Sequence, residues 1–163
     1  MQDKVLVAYA SRTGSTAEVA EAIGKALHGE GDAVDIRPAK DVTDMSPYRA
    51  AIVGSAIYMG RWMSEAVKFV KTHRDALSRI PVAYFLVCLT LNEDNYHTVA
   101  AYVDPIRAMV KPVDVGLFTG RLDYSKLPFL YRLVAKTMKA PEGDFRNWEA
   151  IHTWATELRP RLR

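Results

Sequence analysis

The six residues Ser11-Arg12-Thr13-Gly14-Ser15-Thr16 place four hydroxyls and one glycine between an apolar run and an amphipathic one. That composition suits an anion. A helix starting here would aim its unpaired N–H groups and positive dipole end at the loop, while the hydroxyls donate to phosphate oxygens. Gly14 permits close backbone approach, or a positive φ, where a Cβ would obstruct. Ser and Thr also cap helices, so a simple N-cap is the competing reading. A cap needs one hydroxyl, and this loop carries four. The glycine pattern narrows the ligand. A dinucleotide fingerprint needs G-x-G-x-x-G after the first strand, and only Gly14 stands there; a Walker loop, G-x-x-x-x-G-K-[ST], occurs nowhere. A phosphomonoester held by hydroxyls and backbone amides fits better.

A second candidate stretch is Ile52-Val53-Gly54-Ser55-Ala56-Ile57-Tyr58-Met59-Gly60. A tyrosine and glycines just past a strand end line ligands more often than cores. Metal chemistry has no support: His28, His73, His97 and His152 show no ligand spacing. Cys88, the one cysteine, lies inside the apolar run Val82 to Leu89, which excludes an intramolecular disulfide and a thiolate cluster.

Positioning these loops requires a scaffold of alternating elements. Strand-like runs at Val5 to Tyr9, Val34 to Ile36, Ala50 to Val53, Val82 to Leu89 and Val113 to Phe118 alternate with helical stretches at Thr16 to Leu27, Glu65 to Leu77, Tyr96 to Met109 and Trp148 to Leu158. The central runs are apolar throughout, as parallel strands covered on both faces are. The expectation is an α/β three-layer sandwich around a five-stranded parallel sheet, forming a single domain over residues 1–163. An extra element, about residues 120–143, is inserted before the last helix.

Tyr9 to Thr16 resembles the phosphate loop of flavodoxins, T/S-x-T-G-x-T, placed as in that family after the first strand. The stretch from Ile52 to Gly60 resembles the flavodoxin loop that flanks the isoalloxazine. Three patterns are similar to the menaquinone-dependent protoporphyrinogen IX dehydrogenases and related flavodoxin-domain proteins: Ser55-Ala56-Ile57-Tyr58-Met59-Gly60, Phe118-Thr119-Gly120-Arg121-Leu122-Asp123-Tyr124, and Gly143-Asp144-Phe145-Arg146-Asn147-Trp148-Glu149. The likeness covers essentially the whole chain, the insertion included. It implies strand order 2-1-3-4-5 and FMN as cofactor. Ser11, Arg12, Thr13, Gly14, Ser15 and Thr16 would then hold the phosphate, with Arg12 either touching it or facing solvent. Ser55, Ala56, Ile57, Tyr58 and Gly60 would flank the ring on one side, and Leu89, Thr90, Leu91 and Asn92 on the other. No residue is needed as a covalent catalyst, because the flavin carries the redox chemistry.

Net charge is +3 with a pI near 9.0, and the excess is local. Arg121, Lys126, Arg132, Lys136 and Lys139 against Asp123 make +4, so the remainder carries −1. No nucleic-acid-binding module accompanies that segment, and nucleic acid is not expected as a partner. Taken as a helix, Leu127 to Ala140 puts Leu127, Leu130, Tyr131, Leu133, Val134 and Met138 on one side and Arg132, Lys136 and Lys139 on the other, with Phe129 beside the cations. Two readings stay open: a helix packed on the sheet with a solvated basic face, or cations meeting anionic lipid or porphyrin propionates. No run of about 18 apolar residues exists to span a bilayer, and no targeting segment is visible. The resulting expectation is a cytoplasmic protein with peripheral contact at the inner face of the cell membrane. Its implied activity is oxidation of protoporphyrinogen IX with a quinone acceptor. The alternatives are an electron-carrier flavodoxin serving redox protein partners and a flavin-free regulatory relative. Carriers of that kind are usually acidic, so the basic charge favours the enzyme.

Overall fold

In a computed structural model the described residues are 3–12, 14–89, 91–122, 129–130, 133, 137, 143–144 and 146–163. The elements run β1 (Lys4–Ala10), α1 (Ser15–Gly29), β2 (Ala33–Pro38), β3 (Tyr48–Tyr58), β4 (Arg61–Trp62), α2 (Ser64–Thr72), α3 (Arg74–Leu77), β5 (Val82–Val87), α4 (Tyr96–Ala100), α5 (Asp104–Arg107), β6 (Asp114–Phe118), β7 (Arg121–Leu122), β8 (Gly143–Asp144) and α6 (Trp148–Leu158). The parallel sheet has the order β2-β1-β3-β5-β6. Leaving out β4, a two-residue strand hairpinned onto β3, this is the expected flavodoxin-like order.

Strand alternation explains the three layers. On β1, Val5 and Val7 point to the face covered by Val19, Ile23 and Leu27 of α1 and by Ile151, Ala155 and Leu158 of α6. Leu6 and Ala8 point to the opposite face, under Ala66, Phe69 and Val70 of α2 and Val99, Val103 and Ile106. Both sets are buried, so these central positions of the strand must all be apolar. The chain end is fixed by charge: Asp32 pairs with Arg49 at 3.0 Å and Arg159 at 2.8 Å, and Arg49 Nη1 donates to the Leu162 carbonyl.

Two expected helices are shorter than their sequence patterns. The segment from Tyr96 to Met109 divides into α4, a 3-10 turn over Ala101–Val103, and α5. Pro105 in the first turn of α5 has no N–H to continue the preceding ladder, and its ring opposes helical geometry in the turn before it. The segment from Glu65 to Leu77 breaks between α2 and α3 at His73, where φ is −104° and ψ is 20°.

Candidate functional site

Register brings the candidate loops to one edge. Ala10 ends β1 opposite Ser55 of β3, Ala56 lies opposite Val87 of β5, and Val87 opposite Phe118 of β6. The loops that follow these strands therefore rise side by side from the carboxyl edge of the sheet. The chain runs from β1 to β2 on one side and then to β3 on the other, which makes this edge a topological switch point, where open α/β sheets bind ligands.

The first loop is shaped for an anion. Gly14 sits at φ 92° as the N-cap of α1, a left-handed conformation that a side chain would strain, and no side chain among the described residues caps the helix. Its N–H is held by the half-buried Ser11, whose Oγ accepts at 3.0 Å. Ser15 opens the helix, half-buried. Thr16 is fully buried, and its Oγ1 has no hydrogen-bond partner among the described residues. A buried hydroxyl without a partner costs free energy, and a ligand oxygen at this helix end would supply the missing bond. A phosphate at this helix end would meet that need, and the donor set fits one. Thr13 lies outside the described residues.

The second loop is a hairpin. Ile57 pairs with Trp62 and Tyr58 with Arg61, leaving Met59 and Gly60 as a two-residue turn with φ 52° and 74°. Positive φ at both central positions is the turn that matches strand twist. At Gly60 a Cβ would also stand 3.3 Å from the Tyr102 ring, so the glycine gives close approach as well as the turn. Ile57 and Tyr58 are half-buried, and Met59 is 77% exposed. The Arg12 guanidinium lies over the Tyr58 ring, 5.6 Å from its centroid, which links the first loop to the second. Ser55 sits two residues before the hairpin. It is fully buried, its Oγ donates to the Ala56 carbonyl at 2.7 Å and accepts from the Met63 N–H at 2.9 Å. Its hydroxyl thus shapes the hairpin from inside, and Ala56 is buried beside it.

The third loop closes on itself after β5. The Cys88 N–H donates to the Phe118 carbonyl and the Leu91 N–H to the Cys88 carbonyl. Asn92 and Asn95 exchange reciprocal bonds, each side-chain oxygen accepting the other's N–H at 2.7 and 3.0 Å. Leu89 and Leu91 are half-buried and Asn92 is exposed; Thr90 lies outside the described residues.

The Flavodoxin domain family matches residues 6–147, most of the chain. The chain belongs to the flavodoxin domain family. A protoporphyrinogen IX dehydrogenase [quinone] from Leishmania major is 26% identical, over 95% of this chain and 74% of its own length. The protein of the same name from Escherichia coli K12 is 24% identical, over 95% of this chain and 94% of its own. Among solved structures, flavodoxin 2 of Bacillus cereus superposes with a TM-score of 0.62 at 20% identity, covering 97% of this chain and 99% of that one. Flavodoxin 1 of the same organism gives 0.63 at 13% identity, covering 98% and 99%.

Two features of this flavodoxin domain carry chemistry that its loop motifs do not announce. A cleft of about 250 Å³ adjoins the first loop, between Ser11, Gly14 and Ala17 on one side and Pro38, Lys40 and Glu65 on the other. Beyond β8, Arg146 reaches the first turn of α1: Nη1 donates to Glu18 Oε2 at 2.8 Å and lies 3.4 Å from the Ser15 carbonyl. Asp144 first, and Glu18 with it, raise the guanidinium pKa against the opposing effect of burial. The sequence singled out this stretch by its pattern, without a role for Arg146.

Within the insertion, β7 pairs antiparallel with β8. Phe129, Leu130 and Leu133 are 73%, 71% and 54% exposed. Leu130 and Leu133, on the side expected to pack against the sheet if the helix were purely structural, face solvent. Arg132, Lys136 and Lys139 lie outside the described residues.

Proposed function

We propose that the chain binds FMN at the carboxyl edge of its sheet and uses it to oxidise protoporphyrinogen IX, with a quinone as electron acceptor. The observation that carries the cofactor is the buried Thr16 hydroxyl at the start of α1, without a partner among the described residues, inside a loop of four hydroxyls. When bound, FMN supplies hydride and single-electron chemistry. Ser11, Thr13, Ser15 and Thr16, with the local backbone amides, hold its phosphate, and Gly14 keeps the backbone close. Ile57, Tyr58 and Gly60 border the ring on one side, with Ser55 and Ala56 shaping that hairpin, and the stretch Leu89 to Asn92 borders it on the other. Arg12, over Tyr58, adds positive charge at the mouth. These residues anchor and orient; none need exchange a covalent bond.

The substrate assignment is supported by the two dehydrogenase relatives, which align along 95% of this chain. The insertion adds a second support. Its exposed Phe129, Leu130 and Leu133 would enter a lipid surface, the cations Arg132, Lys136 and Lys139 would meet anionic head groups or the propionates of the porphyrin, and a quinone would be reached in the same layer. Among the described residues no helix is long and apolar enough to cross a membrane, so the contact would be peripheral. An electron-carrier flavodoxin is the second reading, favoured by the likeness to the Bacillus cereus flavodoxins. The excess positive charge argues against it, because carriers steer to basic partners with acidic surfaces. The test is to load purified protein with FMN and assay protoporphyrinogen IX oxidation with a quinone. Turnover supports the enzyme. Flavin reduction by a redox partner without porphyrinogen turnover supports the carrier.

A further inference from the structure

Arg146 is held with unusual thoroughness for a residue just outside a short strand. Its side chain is 3% exposed. Nε and Nη2 grip both oxygens of Asp144 at 2.8 and 2.6 Å, Nη1 takes Glu18 at 2.8 Å, and the guanidinium stacks on Trp148 4.5 Å from the ring centroid. Glu18 and Asp144 are 44% and 42% exposed, so pairing them contributes little stability. Taking an arginine out of water carries a desolvation cost that these pairs must offset. The arrangement makes sense through what it touches. Ser15 and Glu18 bracket the first turn of α1, and Thr16, whose hydroxyl has no partner among the described residues, lies between them. Glu18 stabilises the helix itself as an anion near its N-terminus, but the same charge opposes a phosphate dianion at that end.

We propose that Arg146 is a positioning residue for the FMN phosphate: it fixes the first turn of α1 and, shared between Asp144 and Glu18, offsets part of the negative charge beside that turn, so that the site selects a phosphorylated flavin. The inference rests on the FMN reading above. Riboflavin, which has the ring and lacks the phosphate, separates the two. Titrating each flavin by quenching of its fluorescence, wild-type protein prefers FMN. Arg146→Gln lowers FMN affinity about tenfold and leaves riboflavin affinity unchanged, as expected for loss of one nearby cation from a dianion's surroundings. Arg146→Lys keeps the charge and recovers most of the preference. Glu18→Gln works in the opposite direction, strengthening FMN binding several-fold without affecting riboflavin, and it decides the matter if Arg146→Gln fails to fold. Equal losses for both flavins in Arg146→Gln, or an FMN affinity in Glu18→Gln that is unchanged or weaker, would overturn the proposal. Wild-type protein that binds neither flavin overturns the FMN reading and this inference with it. Wild-type protein that prefers FMN, with variants that keep the same preference, overturns the role of Arg146 alone.

Discussion

Replacing Thr16 by valine should move flavin affinity and flavin-free stability in opposite directions. The side chain is fully buried and its Oγ1 has no partner among the described residues, so the flavin-free protein bears the desolvation of a hydroxyl with nothing in return. That cost is about 1 to 3 kcal/mol. Valine fills nearly the same volume without the hydroxyl and recovers part of it, so flavin-free Thr16→Val should gain about 1 kcal/mol. For a domain of this size that is a rise of roughly 2 to 4 °C in Tm. With FMN present the sign reverses. The lost bond is one to a charged phosphate, about 1.5 to 3 kcal/mol, or a weakening of roughly tenfold to more than a hundredfold. Thermal melts of the flavin-free protein and FMN titrations of the same preparations measure both. A lower Tm in the flavin-free variant would mean that the hydroxyl has a protein partner, and an unchanged FMN affinity would move the phosphate away from Thr16. Either result refutes the reasoning.

Met59 carries a φ of 52° with its side chain 77% exposed, so Met59→Asn should lose no packing and relieve strain, stabilising the protein by about 1 kcal/mol as a higher midpoint in urea unfolding. Tyr84 donates to the Val110 carbonyl at 2.6 Å, and burial raises its pKa above the ordinary 10.0, with Arg107 opposing. The raised pKa means the contribution of neutral Tyr84 is fully present below pH 10.0 and is lost as pH rises beyond it, by up to about 1.4 kcal/mol per pH unit. Tyr84→Phe should therefore be about 1 kcal/mol less stable at neutral pH, with the gap to wild type closing above pH 10.0; a constant gap across that range would contradict this. Changing Phe129, Leu130 and Leu133 together to serine should weaken binding to anionic vesicles about a hundredfold, at about 1 kcal/mol per partly inserted side chain, and leave FMN affinity intact. Vesicle binding equal to wild type would remove these residues from the membrane contact.

What the sequence makes legible follows the range of the forces involved. The strands were readable because burial on both faces demands apolar residues at every position, as Leu6 and Val7 of β1 show on opposite layers. The first loop was readable because its hydroxyls and Gly14 are consecutive and α1 begins directly after them. The hairpin at Met59 and Gly60 was harder, since the favoured turn dipeptide is Asn-Gly or Asp-Gly and methionine at positive φ gives no signal. Ser55 was harder for a related reason: the sequence shows a hydroxyl at a strand end, but only the fold shows that the Met63 N–H uses it. The division at Pro105 was visible in principle, because proline marks a first turn, and the helical periodicity on both sides concealed it. Arg146 was out of reach, because Glu18 lies 128 residues away and no local pattern encodes that pair.

The same long-range contact gives the insertion a mechanical meaning. A segment added to an α/β domain must leave from a loop, and its point of departure decides what it can affect. Here the chain departs just after Phe118, which pairs with Val87 at the carboxyl edge, and Gly120 lies so near that a Cβ there would meet Val87 Cγ1 at 3.2 Å. It returns through β8, antiparallel to β7, and two residues later Arg146 fastens it to the first turn of α1. Both ends of the insertion are thus tied to the edge that carries the three candidate loops. Anchored at this edge, a segment that meets lipid or a hydrophobic substrate is brought to the side of the domain where electrons would be exchanged.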